Sequence, residues 1–149
     1  MIDRAKMQKA VSLAAAVLLF FPFASTKAAS LAECPVGKGY SFFNSSEFFS
    51  DDDAGWQSDT TGLIALTVSE TKEIDILYKD VRGYQSSRAD GAEVSVVGVG
   101  EHSISVLVKY AAMVHSLYTF DLANKKLFYS QHRLETPIDK ASTFIFDCQ

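Results

Sequence analysis

Residues able to do chemistry are few in this chain, and they are scattered. The histidines are His102, His115 and His132. His115 and His132 lie in neighbouring strand-like segments on either side of the polar turn Asp121–Lys126. A hairpin centred on Ala123-Asn124 sets their imidazoles loosely opposite each other. Two imidazoles within reach of one ion begin a zinc site, but such sites need three or four ligands and no third is visible. His115 and His132 therefore read first as surface residues on the wet face of a sheet. They are the candidates for a metal-binding or enzymatic role, and no cofactor is expected.

The acidic run Asp51-Asp52-Asp53 suggests calcium. An EF-hand loop needs Gly at its sixth position and Glu at its twelfth. Counting from Asp51, the fifth residue is Gly55 and the twelfth is Gly62, so the pattern fails and a solvated acidic loop remains. No Gly-x-Ser-x-Gly elbow is present. Gly37-Lys38-Gly39 and Gly98-Val99-Gly100 are too short to cradle a phosphate. No constellation for catalysis emerges, and the chain is expected not to be an enzyme.

Aromatic residues are the notable excess, with 11 Phe, 6 Tyr and one Trp. Most are core and cross-strand partners. Trp56, Tyr110, Tyr118 and Tyr129 are the candidate binding residues, because such side chains join an apolar body to a polar tip.

The two cysteines, Cys34 and Cys148, stand near opposite ends of the chain. Neither has the clustered Cys or His neighbours that a metal site requires. In an exported chain an even cysteine count implies a disulfide, and two cysteines allow one intramolecular pairing. Cys34–Cys148 is expected to staple the termini.

Export itself is read from the first residues. Met1–Lys9 carries Arg4, Lys6 and Lys9; an apolar run, Val11–Phe21, follows; small and polar residues lead to Ala28. This is the pattern of a secretory signal peptide, too short to span a bilayer as a helix. Cleavage is expected after Ala28 or Ala32, leaving one secreted or periplasmic domain over 29–149. Removing residues 1–28 takes away four bases and one acid, which leaves 10 bases against 17 acids and a net charge of −7. Such a domain is repelled by nucleic acid and by anionic membrane surfaces. Contact with a membrane is expected only through the signal peptide before cleavage.

The elements that must position these residues are strands. Ile104–Arg133 holds three apolar segments, Ile104–Tyr110, Val114–Phe120 and Leu127–Tyr129, in the pattern of an antiparallel meander. Pro35–Asn44, Leu63–Val68, Glu73–Lys79, Glu93–Val99 and Thr143–Asp147 add further strands, with Tyr84 as a possible strand residue. Glu73–Lys79 alternates, with Ile74, Ile76 and Tyr78 on one face. Ser45–Thr61 reads as a polar connection, Asp90-Gly91 as a hairpin turn, Gly98 as a bulge, and Asn124 as a left-handed turn residue. Thr136-Pro137 reads as the start of a short helix over 137–142.

The expected fold is all-β: one small antiparallel up-and-down meander, a barrel or a sandwich of about eight strands, with a signal-peptide helix in front. The expected function is a binding module for a small apolar ligand or a protein partner. An alternative is an enzyme inhibitor whose acidic loop, Asp51–Trp56, engages a basic target. The sequence carries no substrate information and does not set the oligomeric state.

Overall fold

The computed structural model describes residues 28–149, which contain strands, turns and bends and no helix. Met1–Lys27, all of the signal segment but its last residue, lies outside the described residues. In chain order the strands are β1 Ala29–Cys34, β2 Gly37–Phe43, β3 Gly55–Thr61, β4 Ile64–Val68, β5 Ile74–Asp80, β6 Gly83–Ser86, β7 Glu93–Val99, β8 Ser103–Tyr110, β9 Val114–Asp121, β10 Lys126–Arg133 and β11 Lys140–Asp147. They form two antiparallel sheets, ordered β1-β4-β5-β6 and β3-β2-β11-β10-β9-β8-β7. Among the described residues neither sheet closes on itself, so the barrel alternative gives way to two packed layers.

The meander is the spine of the larger sheet. β7 to β11 follow one another in sequence and in space, and β2 and β3 return to pair beyond β11. Phe120 lies directly opposite Leu127 across the β9–β10 hairpin. Asp121 shapes the turn as its residue type suggests: its carboxylate accepts the Asn124 backbone N–H at 3.0 Å. The left-handed residue is Lys125, at φ 52°, and not Asn124. Asn124 instead donates its side-chain amide to Asp121, at 2.8 Å.

Four further sequence expectations are corrected. The connection Ser45–Thr61 contains β3, a polar strand built on Gln57, Ser58, Asp59 and Thr60. It lacks an apolar alternation because, as a sheet edge, it has less to bury. The short helix over 137–142 is absent. Thr136 Oγ donates to the Ile138 carbonyl at 2.7 Å, and the Asp139 carboxylate accepts the Thr136 N–H at 3.0 Å. These bonds close a turn, and β11 starts at Lys140 and is paired on both sides. Asp90-Gly91 is not a hairpin: it joins β6 of one sheet to β7 of the other. The strands number eleven and not eight, with β1, β3 and β6 the additions. Gly98 does mark a bulge, since the β7–β8 register shifts between Val96 and Gly98.

One core joins the layers. Ala32, Cys34, Ile64, Leu66 and Ile76 of the small sheet pack with Val106, Val108, Phe120, Leu127, Phe144 and Phe146 of the large one. Each large side chain so buried contributes about 1.5–3 kcal/mol. Where the chain crosses between sheets, Arg88 bridges them: its guanidinium donates to the Ile74 carbonyl at 2.9 Å and to the Val94 carbonyl at 2.8 Å. Cys34 and Cys148 are disulfide-bonded across 114 residues of chain. Beside the disulfide, Glu33 and Gln149 exchange backbone hydrogen bonds.

Two strand glycines let the Phe146 ring and the β11 backbone lie close on β2. A Cβ at Gly37 would collide with the Phe146 ring, and one at Gly39 with the Thr143 carbonyl and the Phe144 backbone. Gly39→Ala is expected to loosen the β2–β11 pairing and cost more than about 2 kcal/mol of stability, since the clash is with backbone; urea denaturation checks this. The double variant Cys34→Ser/Cys148→Ser is expected to lose up to about 4.7 kcal/mol, the chain-entropy value for a loop of roughly 100 residues. Equilibrium unfolding of the variant, beside wild type with and without reductant, measures the loss.

Candidate functional site

Register across β8, β9, β10, β11 and β2 sorts the inner face of the large sheet into four layers. Nearest the disulfide is an apolar layer of Ile104, Phe120, Leu127, Phe146 and Gly37. Next comes an aromatic layer of Val106, Tyr118, Tyr129, Phe144 and Gly39. A polar layer follows: Val108, Ser116, Gln131, Ser142 and Ser41. The outermost layer holds Tyr110, Val114, Arg133, Lys140 and Phe43. The inner face thus passes from dry to polar in three steps along β10, from Leu127 and Tyr129 to Gln131 and Arg133.

The polar end opens into a cleft of about 400 Å³ between the two sheets. Ser116, Tyr118, Tyr129, Gln131, Arg133 and Lys140 line it from the large sheet, with Tyr110 and Val114 at the rim layer. Leu63, Ile64, Tyr78 and Asp90 line it from the other side. Its exposed lining is more polar than apolar. Tyr118 and Tyr129 are stacked with ring centroids 4.6 Å apart, and Phe144 continues the stack 5.7 Å from Tyr129.

Hydrogen bonds hold the polar layer. Gln131 donates its amide to Ser116 Oγ at 3.0 Å. Ser41 donates to Asp59 at 2.7 Å, and Ser142 Oγ lies 2.7 Å from Ser41 Oγ. A hydroxyl has one proton, so Ser142 is the donor in that second bond. Asp59 also receives the Thr60 N–H at 2.8 Å and lies 3.6 Å from the Lys140 ammonium. Burial pushes its carboxyl up, but the Ser41 and Thr60 hydrogen bonds and the Lys140 charge outweigh this and hold it below the ordinary value. Tyr78 donates to Asp90 at 2.6 Å; burial and that carboxylate raise its phenol well above the usual tyrosine range. Burial likewise raises Tyr118 and Tyr129, so both remain neutral donors.

The sequence-derived candidates divide between two places. Tyr110, Tyr118 and Tyr129 come together on the cleft. Trp56 does not: it stands on β3 at the sheet edge, 66% exposed, with its ring edge-on to Phe42 at 5.6 Å. Asp51–Asp53 form an exposed turn before it. His115 and His132 are direct register partners on the outer face, both exposed. Among the described residues no group of three or more His, Cys, Asp or Glu could hold a metal ion. Arg133, Lys140, Asp59 and Gln131 were not legible as site residues. For Gln131, Arg133 and Lys140 the signal is polar residues on the face that carries the core elsewhere in the same strand, as in β10, where Leu127 and Tyr129 lead to Gln131 and Arg133; Asp59, on a polar edge strand, has none.

Comparison of the chain with protein-family models, with curated proteins and with solved structures finds no match.

Because the Asp59 carboxyl is depressed in the folded protein, its contribution to stability is present above the ordinary Asp range and lost as pH falls through the folded value. Asp59→Ala is expected to cost about 1–3 kcal/mol at neutral pH. The gap to wild type should close at acid pH, as read from denaturation midpoints at pH 7 and below pH 3.

Proposed function

We propose that this chain is an exported, non-enzymatic binding module whose inter-sheet cleft takes a small ligand. The observation that carries the reading is the cleft of about 400 Å³, walled by both sheets and lined by Tyr110, Tyr118 and Tyr129. This volume lies in the small-molecule range of about 300–1,000 Å³. The aromatic stack supplies a rigid apolar wall, and the polar layer supplies donors and acceptors at fixed positions. That mixture favours a ligand with an apolar body and polar substituents over a purely apolar one. The stapled ends and the core beneath the stack preorganise the walls, which lowers the cost of binding.

Export is supported by the signal-type segment and by a disulfide, which persists in oxidising compartments. Of the two cleavage positions, the one after Ala28 fits the fold better. Ala29, Ser30 and Ala32 all pair with β4, and Ala32 is buried. A cut after Ala32 would remove those pairings.

The inhibitor alternative keeps one specific support: exposed Trp56 stands three residues after the exposed acidic turn, at an open sheet edge. An aromatic anchor beside acids fits a basic protein target.

The readings part on what co-purifies. Native mass spectrometry of protein isolated from its own source is expected to show a non-covalent small-molecule adduct. The cleft-filling variant Val114→Trp should lose it. A bare protein mass, together with a basic partner whose capture is lost on replacing Asp51–Asp53 by Asn, would overturn the cleft reading in favour of the inhibitor.

A further inference from the structure

We infer that the ligand of this cleft carries an oxyanion, a carboxylate or a phosphate, and that Arg133 is the residue that receives it. The inference rests on the cleft-binding reading above and adds the chemistry of the ligand to it.

Arg133 closes β10 in the outermost layer of the inner face, opposite Val114 on one side and Lys140 on the other. Its Nε is buried and has no hydrogen-bond partner. Among the described residues it takes part in no ion pair. Each of the other charges around the cleft has an opposite charge or an aromatic ring beside it. Asp90 accepts the Tyr78 proton and has Arg82 at 3.9 Å. Lys140 has Asp59 at 3.6 Å and lies over the Phe43 ring. The Lys79 ammonium sits 5.6 Å from the centre of the Tyr84 ring. Among the described residues Lys79 and Arg133 both lack an acid, and of the two Arg133 has neither an acid nor an aromatic ring against it.

Such an arrangement is costly in the empty protein. A cation with a buried, unpaired N–H loses hydration without recovering it. Like charges directly opposite on neighbouring strands also repel, and Arg133 faces Lys140. An oxyanion entering the cleft removes both costs at once. Its two oxygens match the guanidinium fork, and such bonds are stronger than neutral ones. Tyr110, Tyr118 and Tyr129 line the same space, and burial keeps Tyr118 and Tyr129 neutral, so they bring polar groups and no competing charge. The exposed edge of the stack would pack against an apolar remainder of the ligand, as in a small aromatic carboxylate or phosphate ester.

The test uses the arginine Nε–Hε signals of the intact ¹⁵N-labelled protein. The Arg133 signal is identified by its loss in Arg133→Gln, whose remaining spectrum reports whether the fold is kept; Arg133→Lys, which retains charge but not the fork, serves as the second variant. The probes are benzoate, phenyl phosphate and neutral benzamide, titrated at constant ionic strength against sodium chloride. Benzoate and phenyl phosphate are expected to shift the Arg133 signal and the Tyr118 and Tyr129 ring signals saturably. Benzamide should bind at least tenfold more weakly, and Arg133→Gln should lose at least tenfold in anion affinity. If benzamide shifts the cleft signals as strongly as benzoate, the anion inference fails and the cleft reading stands. If anions shift only exposed lysines and no probe reaches Tyr118 or Tyr129, both fall.

Discussion

Everything in the larger sheet depends on one register. The pairing Phe120–Leu127–Phe146–Gly37 sets every layer beyond it. A slip of one residue in β10 would turn Leu127 and Tyr129 outward and bring Phe128, Ser130 and His132 into the core. The register is fixed from both ends. Asp121 locks the hairpin turn, the Phe146 ring fits only over the bare backbone of Gly37, and the β11 backbone at Thr143 and Phe144 fits only against Gly39. Sequence enters the site through this geometry: the apolar layer holds the strands, and the cleft is what the same strands present once their apolar residues end.

The meander was legible because its alternation is strong and its turn chemistry local. Ile104–Arg133 carries period two through three strands, and Asp121 announces the turn. The misses follow from weaker or competing signals. β3 is an edge strand made of Ser, Asp, Thr and Gln, residues that also make loops. β1 follows directly on a signal-like segment, whose small residues hide its pairing with β4. Thr136-Pro137 has the form of a helix start, but the chain beyond it is claimed by β11 and its neighbours on both sides; tertiary pairing overrides a two-residue cue. The crossing at Asp90-Gly91 uses hairpin residues for a different purpose, because φ of 91° at Gly91 suits any sharp reversal.

The site was legible in half. Tyrosines on strands are visible in a sequence, and three of the four aromatic candidates converge. What could not be read is their company. Asp59 meets Lys140 and Ser41 meets Ser142 across 81 and 101 residues of chain, by pairings that no local pattern encodes. The histidines show the converse. His115 and His132 are register partners as their spacing suggests, yet the face they share is the one turned to solvent. Proximity along a ladder says nothing about which side of the sheet does the work.

The staple at the ends has a mechanical consequence. A force pulling on both ends of the domain peels the few residues of β1 before Cys34 and then meets a covalent bond. The 114-residue span between the cysteines is bypassed, so the sheets and the cleft carry almost none of the load. On the large sheet, Arg133 and Lys140 of the cleft stand three layers along the strands from the apolar layer beside that bond. An attachment at either end, to a surface or to another protein, would leave the shape of the cleft undisturbed.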